Sequence, residues 1–271
     1  MNIKVGRMTG VGLGAGAVAL YRGAKGVAKQ NVPFRRQWEE HLLATVEALN
    51  DVADRGEELP LIYVALGDSA AQGLGSSNFE EGYVPRIASA LQQTSGRDVA
   101  LLNISLSGGT AASVLGTQLP QLGGLLVGGQ PMIPDVLTLN IGGNDVSVAE
   151  LSVEEFGVRM DRIVAQLPQP AVLANIPTFK PLRAEKRAAS LSIQIERAAK
   201  KYGAGIVHLE ELSNTFGLWK YMTQYHAPDM FHPNSPWYER WAQLFMDEIS
   251  EQLGVPKVDI ADVPVWEPWR G

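Results

Sequence analysis

The sequence of 271 residues contains no cysteine. That absence excludes a disulfide scaffold, a thiolate metal centre and a cysteine nucleophile. It leaves the compartment open between export and cytoplasm, since a chain without thiols suits oxidising and reducing surroundings alike. Histidine is scarce at four residues, His41, His208, His226 and His232. Basic residues are outnumbered, 23 Lys and Arg against 29 Asp and Glu for a net charge of −6. Broad binding to a phosphate backbone needs the opposite balance, so no nucleic-acid partner is expected. With 45% hydrophobic residues the chain is not a disordered polymer, and its 28 glycines follow no collagen period.

The charge is unevenly placed. Residues 1–40 hold seven Lys and Arg against Glu39 and Glu40, a net +5, leaving −11 for the rest. Within that basic start lies a Gly-rich uncharged run, residues 8–21, shorter than the ~20 residues that span a bilayer. It admits two readings: a signal-like or membrane-associated leader, or a helix packed on the globule. Gly10, Gly12 and Ala15 also match the dinucleotide fingerprint G-x-G-x-x-A. That motif requires a buried strand before it and an acidic residue ~20 positions on, and residues 26–36 carry no acid. A nucleotide-binding protein built on this loop is therefore the rival reading of another class; if that reading is wrong, removal of residues 1–30 is expected to leave the activity of the remaining chain largely intact.

The remainder divides by pattern. Residues 1–32 read as the leader. Residues 33–60 read as an amphipathic helix opened by Pro33, with Trp38, Leu42, Val46 and Leu49 at helical spacing, followed by a polar break. From Leu61, short Val-, Ile- and Leu-rich runs at 61–66, 99–103, 135–140, 171–176 and 205–209 read as strands. Helical patterns at 83–94, 110–121, 150–166, 183–201 and 236–253 alternate with them. The third begins with the capping box Ser152 to Glu155. Such alternation specifies an α/β fold with a parallel sheet covered on both faces over residues 61–254. Residues 255–271 read as extended chain on the surface.

Ligands of open parallel sheets bind beyond the carboxyl ends of the strands. Four polar groups fall there or just before the last helix: Gly67-Asp68-Ser69, Ser107-Gly108-Gly109, Gly143-Asn144-Asp145, and Asp229 with His232. Together they hold what acyl transfer requires. A serine needs a base to take its proton, and His232 is the candidate. Asp229, three residues earlier, can orient that imidazole. An oxyanion needs preorganised donors, which the backbone N–H groups of Ser69 and Gly108 and the amide of Asn144 can provide. Asp68 and Asp145 read as carboxylates that hold their loops through backbone amides.

These residues resemble the SGNH, or GDSL-type, hydrolase family from about Leu61 to Leu253. The resemblance implies a three-layer, flavodoxin-like α/β/α fold with five parallel strands. It implies a Ser69–His232–Asp229 triad, an oxyanion hole from Ser69, Gly108 and Asn144, and no cofactor. The expected activity is hydrolysis of carboxylic esters or thioesters of small molecules or lipids; membrane association through residues 8–21 stays one of the two readings of that run. An acyltransferase and a carbohydrate deacetylase use the same triad, and a non-catalytic envelope protein retains the same fold.

The apolar stretch before the base offers Trp219, Tyr221 and Met230 as acyl-pocket residues, or as core under a loop. Basic Lys180, Arg183, Lys186 and Arg187 either rim the mouth or begin a solvated helix. His226, Asp229 and His232 are regularly spaced but lack the pattern of a hydrolytic zinc site, so no metal is expected. His41 and His208 read as structural.

Overall fold

The computed structural model describes residues 11–271, with side chains from Lys25 onward. Gly10, and whatever fingerprint or membrane segment begins before Val11, lies outside the described residues.

Five strands form a wholly parallel sheet: β1 (Leu61–Gly67), β2 (Val99–Asn103), β5 (Val136–Asn140), β6 (Ala171–Ala174) and β7 (Gly205–Val207), in the order β2-β1-β5-β6-β7. A two-residue hairpin, β3 (Leu126–Val127) with β4 (Gln130–Pro131), stands apart. The order reverses between β2 and β5 around β1, which opens a crevice at the carboxyl end of β1. The expected flavodoxin-like arrangement is thus present.

Alternation along β1 divides the core. Leu61, Tyr63 and Ala65 face one layer, shared with α2 (Tyr83–Ser95) and α9 (Ser235–Leu253). Ile62, Val64 and Leu66 face the other, shared with α5 (Val153–Val164) and α6 (Glu185–Tyr202). Two of these helices, α5 and α9, begin where their sequences supply a cap. Ser152 and Glu155 form the reciprocal capping box of α5, and the Asn234 side chain accepts from Trp237 N–H at the start of α9. Between β2 and β5 the chain turns through α3 (Ala111–Ser113), a π turn over Val114–Gln118, and α4 (Leu119–Gly123). Short helices α7 (Leu209–Asn214) and α8 (Leu218–Gln224) follow β7.

The sequence boundary at Pro33 is corrected. Helix α1 runs from Val11 to Asp54 with Pro33 inside it. Val27, Phe34, Trp38, Leu42 and Leu49 form one buried stripe that continues across the proline, while Pro33 itself faces solvent. Burial of this stripe outweighs the cost of the missing N–H. Helix α1 also covers the edge strand, where His41 Nε2 lies 2.9 Å from the Leu101 carbonyl of β2. Among the described residues, no helix is long and apolar enough to cross a membrane. Beyond α9, the chain from 255 to 271 returns over the same edge and buries Trp266.

Candidate active site

Strand β1 ends at Gly67, whose φ of 147° and crowding demand glycine: a Cβ there would stand 2.4 Å from the Asn140 carbonyl oxygen. The end of the strand is pinned from the side by Gln118. Its Oε1 accepts from Gly67 N–H at 2.9 Å and its Nε2 donates to Gly67 O at 2.8 Å. The π turn carries this fully buried amide, and π turns are common where a side chain must be re-aimed at a site. The chain then turns: Asp68 Oδ1 accepts from Ala70 N–H at 2.9 Å, and buried Ser69 sits between them.

Loop 225–234 brings the imidazole to this serine. Ala227 N–H donates to His232 O, Met230 N–H to Ala227 O, and Asn234 N–H to Tyr225 O, closing a tight reversal. Met230 takes a φ of 59° within it, a left-handed conformation costly for a residue with a Cβ. Asp229 organises the turn with one oxygen and the ring with the other. Its Oδ1 accepts from the N–H groups of Phe231 and His232, both at 3.0 Å. Its Oδ2 lies 2.6 Å from His232 Nδ1, and His232 Nε2 lies 2.9 Å from Ser69 Oγ. Burial pushes the Asp229 carboxyl up. The hydrogen bond and charge of His232 and the two backbone donors outweigh that and hold it below its ordinary value. Three groups separated by as much as 163 residues therefore meet in one hydrogen-bonded line.

Among the described residues, the backbone N–H groups of Ser69 and Gly108 have no acceptor. Gly108 turns at φ 73°. Asn144 differs: its Nδ2 donates to Gly109 O at 2.9 Å and lies 3.3 Å from Asp68 Oδ2. Its amide is already shared between these two acceptors. Asp145 uses both oxygens to accept from Ala111 N–H, at 3.2 and 3.1 Å. Arg187 clamps the following loop by donating to the carbonyls of Asp145, Val146, Val148 and Leu151.

Beside Ser69 lies a cavity of about 70 Å³ that reaches Asp68, Asn140 and Trp241. A second, of about 180 Å³, adjoins it through Phe179, Tyr221, His226 and Phe231 and is lined further by Leu182, Met222 and Met230. Of the expected pocket residues, Tyr221 lines both and Met230 the second. Trp219 lines neither: it stands 82% exposed on the outer side of α8. His226 Nδ1 faces the Tyr221 carbonyl at 3.1 Å, and burial lowers its pKa from the ordinary value. His41 is tied to β2, and His208 lies 3.6 Å from Glu196, both away from the serine. Among the described residues, no group of three or more His, Asp or Glu is placed to hold a metal ion. Sequence pattern missed Gln118, Asn140 and the 176–179 wall, whose only signal was position at or just after the end of a strand, or in a helix.

A model of the GDSL-like Lipase/Acylhydrolase family matches residues 65–240. The GDSL-like esterase Rv1075c of Mycobacterium tuberculosis is 28% identical over 210 residues, covering 70% of this chain. The chain spans 63% of the length of that curated relative. The crystal structure of a lipase/acylhydrolase from Enterococcus faecalis superposes with a TM-score of 0.56 at 16% identity, over 73% of this chain and 98% of that one. The acetylxylan esterase Axe2 from Geobacillus stearothermophilus does so at 0.53 and 16% identity, over 69% and 93%. At such identities the superpositions speak for the shared fold alone.

Proposed function

The chain belongs to the GDSL-like lipase/acylhydrolase family, and from that premise we propose that it hydrolyses carboxylic esters through an acyl-enzyme on Ser69. The observation that carries this reading is the hydrogen-bonded line from Ser69 Oγ to His232 Nε2 and from His232 Nδ1 to Asp229 Oδ2, at 2.9 and 2.6 Å.

In this reading the Asp229 carboxylate accepts from Nδ1–H, which leaves Nε2 as the acceptor for the serine proton. As Oγ attacks the ester carbonyl, the proton passes to Nε2 and the carbonyl oxygen becomes an oxyanion. The N–H groups of Ser69 and Gly108 donate to it, and Asn144 Nδ2 turns its longer bond from Asp68 toward it. Collapse expels the alcohol, which takes the proton from Nε2. Water then repeats the sequence on the acyl-enzyme and releases the acid. Every proton is moved by this chain's own residues.

The cavities favour an apolar acyl arm over a sugar. The smaller one, beside Ser69, holds only about 70 Å³ and counts Asp68 and Asn140 among its lining residues. The larger one offers Leu182, Met222 and Met230 instead, so a chain leaving Ser69 past Tyr221 is directed outward.

A fluorophosphonate probe and an ester panel test both parts. The probe should label the intact protein at Ser69 and leave Ser69→Ala unmarked, with kcat falling at least ~10³-fold in that variant. Labelling at another residue, or ester turnover that survives Ser69→Ala, rejects the serine. A preference for acetylated sugars over p-nitrophenyl butyrate and octanoate rejects the apolar arm.

A further inference from the structure

Two neighbouring residues of α1, outside residues 65–240 that match the family, reach the turn that follows Ser69 and the loop that carries Gly108. Asn31 Nδ2 donates to Ser107 Oγ at 2.9 Å, one residue before Gly108. Gln30 grips the turn after Ser69 at two points. Its Oε1 accepts from Gly75 N–H and its Nε2 donates to Ser76 O, each at 2.9 Å. Gly75 in turn presses on the loop of the base: at its φ of 94°, a Cβ would stand 2.3 Å from Pro233 O and 2.9 Å from His232 Cβ. Seven residues further along α1, Trp38 Nε1 donates to Gln72 O, and Gln72 Nε2 donates to Ser105 O.

We propose that Gln30 and Asn31 are positioning residues of the catalytic centre, so that the working site extends beyond the family domain into α1. Asn31 sets the place of the Gly108 N–H through Ser107. Gln30 sets the turn against which His232 packs. The orientation of α1 permits this. Asn50 meets the hairpin at Leu126 and Gly128, His41 meets the middle of β2, and Gln30 and Asn31 arrive at the carboxyl ends of β1 and β2. The helix thus runs back along the strands and ends this contact at the mouth. Removal of residues 1–30 would take Gln30 and buried Val27 with it, so the proposal predicts lost activity where the sequence leads us to expect a dispensable segment.

An oxyanion donor acts on charge that develops only in the transition state, so its displacement lowers kcat more than it raises KM. This inference rests on Ser69 being the nucleophile. The test uses the full chain: Asn31→Ala, Ser107→Ala and the double variant, each assayed on p-nitrophenyl butyrate and titrated with an alkylboronic acid. Boron accepts Ser69 Oγ to form a tetrahedral adduct whose oxygen occupies the oxyanion position. Loss of a whole donor costs ~10²–10³-fold, so a displaced one is expected to lower kcat about tenfold. KM should stay within about twofold, and boronic-acid affinity should fall in parallel with kcat. The double variant should be no worse than either single one, because all three remove one bond. Wild-type kcat in Asn31→Ala, or additive losses in the double variant, overturns the proposal. Should Asn31→Ala fail to fold, Ser107→Ala removes the same bond from the other side and carries the measurement. Absence of fluorophosphonate labelling in the wild type would instead sink the nucleophile itself.

Discussion

Asp68 illustrates how one residue is bound by two demands. Its Oδ1 must accept from Ala70 N–H to shape the serine turn, yet the carboxyl is buried beside Asn144 and the cavity. Burial pushes its pKa up to about 6, against the backbone bond and the His232 charge that pull it down. The folded state therefore holds this proton more tightly than the unfolded chain does. The ionised side chain costs stability above pH 6, and the cost fades as pH falls from 6 toward 4. A shift of about two units corresponds to ~3 kcal/mol. About half of that cost is already present at pH 5, so relative to wild type Asp68→Asn should gain ~1.4 kcal/mol of stability on going from pH 5 to pH 8, measured by urea unfolding. A stability difference that is the same at both values counts against a proton held at Asp68. At this scale the meeting of Ser69, His232 and Asp229 was legible, because those side-chain types are the ones a proton relay would need. Trp219 was not, because apolarity does not say which side of a seven-residue helix faces in. Nor could spacing show that the Asn144 amide is already shared between Gly109 and Asp68.

At the scale of elements, the strands and the longer helices follow from periodicity, since each buries a face of its own pattern. The exceptions have physical causes. The pattern over 110–121 reads as one helix, but the π turn at Val114–Gln118 splits it to bring Gln118 against Gly67. That bond is long-range and leaves no local trace. Pro33 reads as a helix start because proline is favoured at a first turn. Here it sits inside α1, where the buried stripe from Val27 to Trp38 holds both sides of it in one helix. Proline in a helix interior costs ~3 kcal/mol relative to alanine, and Pro33 is exposed, so no packing offsets its removal. Pro33→Ala is therefore expected to raise the melting temperature by several degrees. An unchanged or lower value would mean that Pro33 itself helps to seat Gln30 and Asn31 on their loops. Ester turnover by the same variant separates the two: lost activity with raised stability places the proline in the service of the site.

Across the whole molecule, the two ends of the described chain close over one edge of the sheet. Trp266 from the tail packs at 5.0 Å from the His41 ring of α1, near Trp38 and Phe79. The tail therefore acts as a lid on His41. Burial lowers the His41 pKa, the Leu101 carbonyl opposes that, and the nearby Arg270 charge adds to it. With a folded value below 6.5, the unfolded chain binds this proton first as pH falls, so acidification through 6.5 costs stability until the folded value is reached. His226 contributes in the same direction, also through burial. Trp266→Ala should cost ~3–5 kcal/mol at pH 8 by emptying a packed site. It should also let water reach His41 and relax its penalty, so the deficit relative to wild type should shrink at pH 5. Unfolding of both proteins at the two pH values decides the matter. An equal deficit at both would leave the tail as packing alone, unlinked to His41, and no deficit would mean that the edge of the sheet does not depend on it.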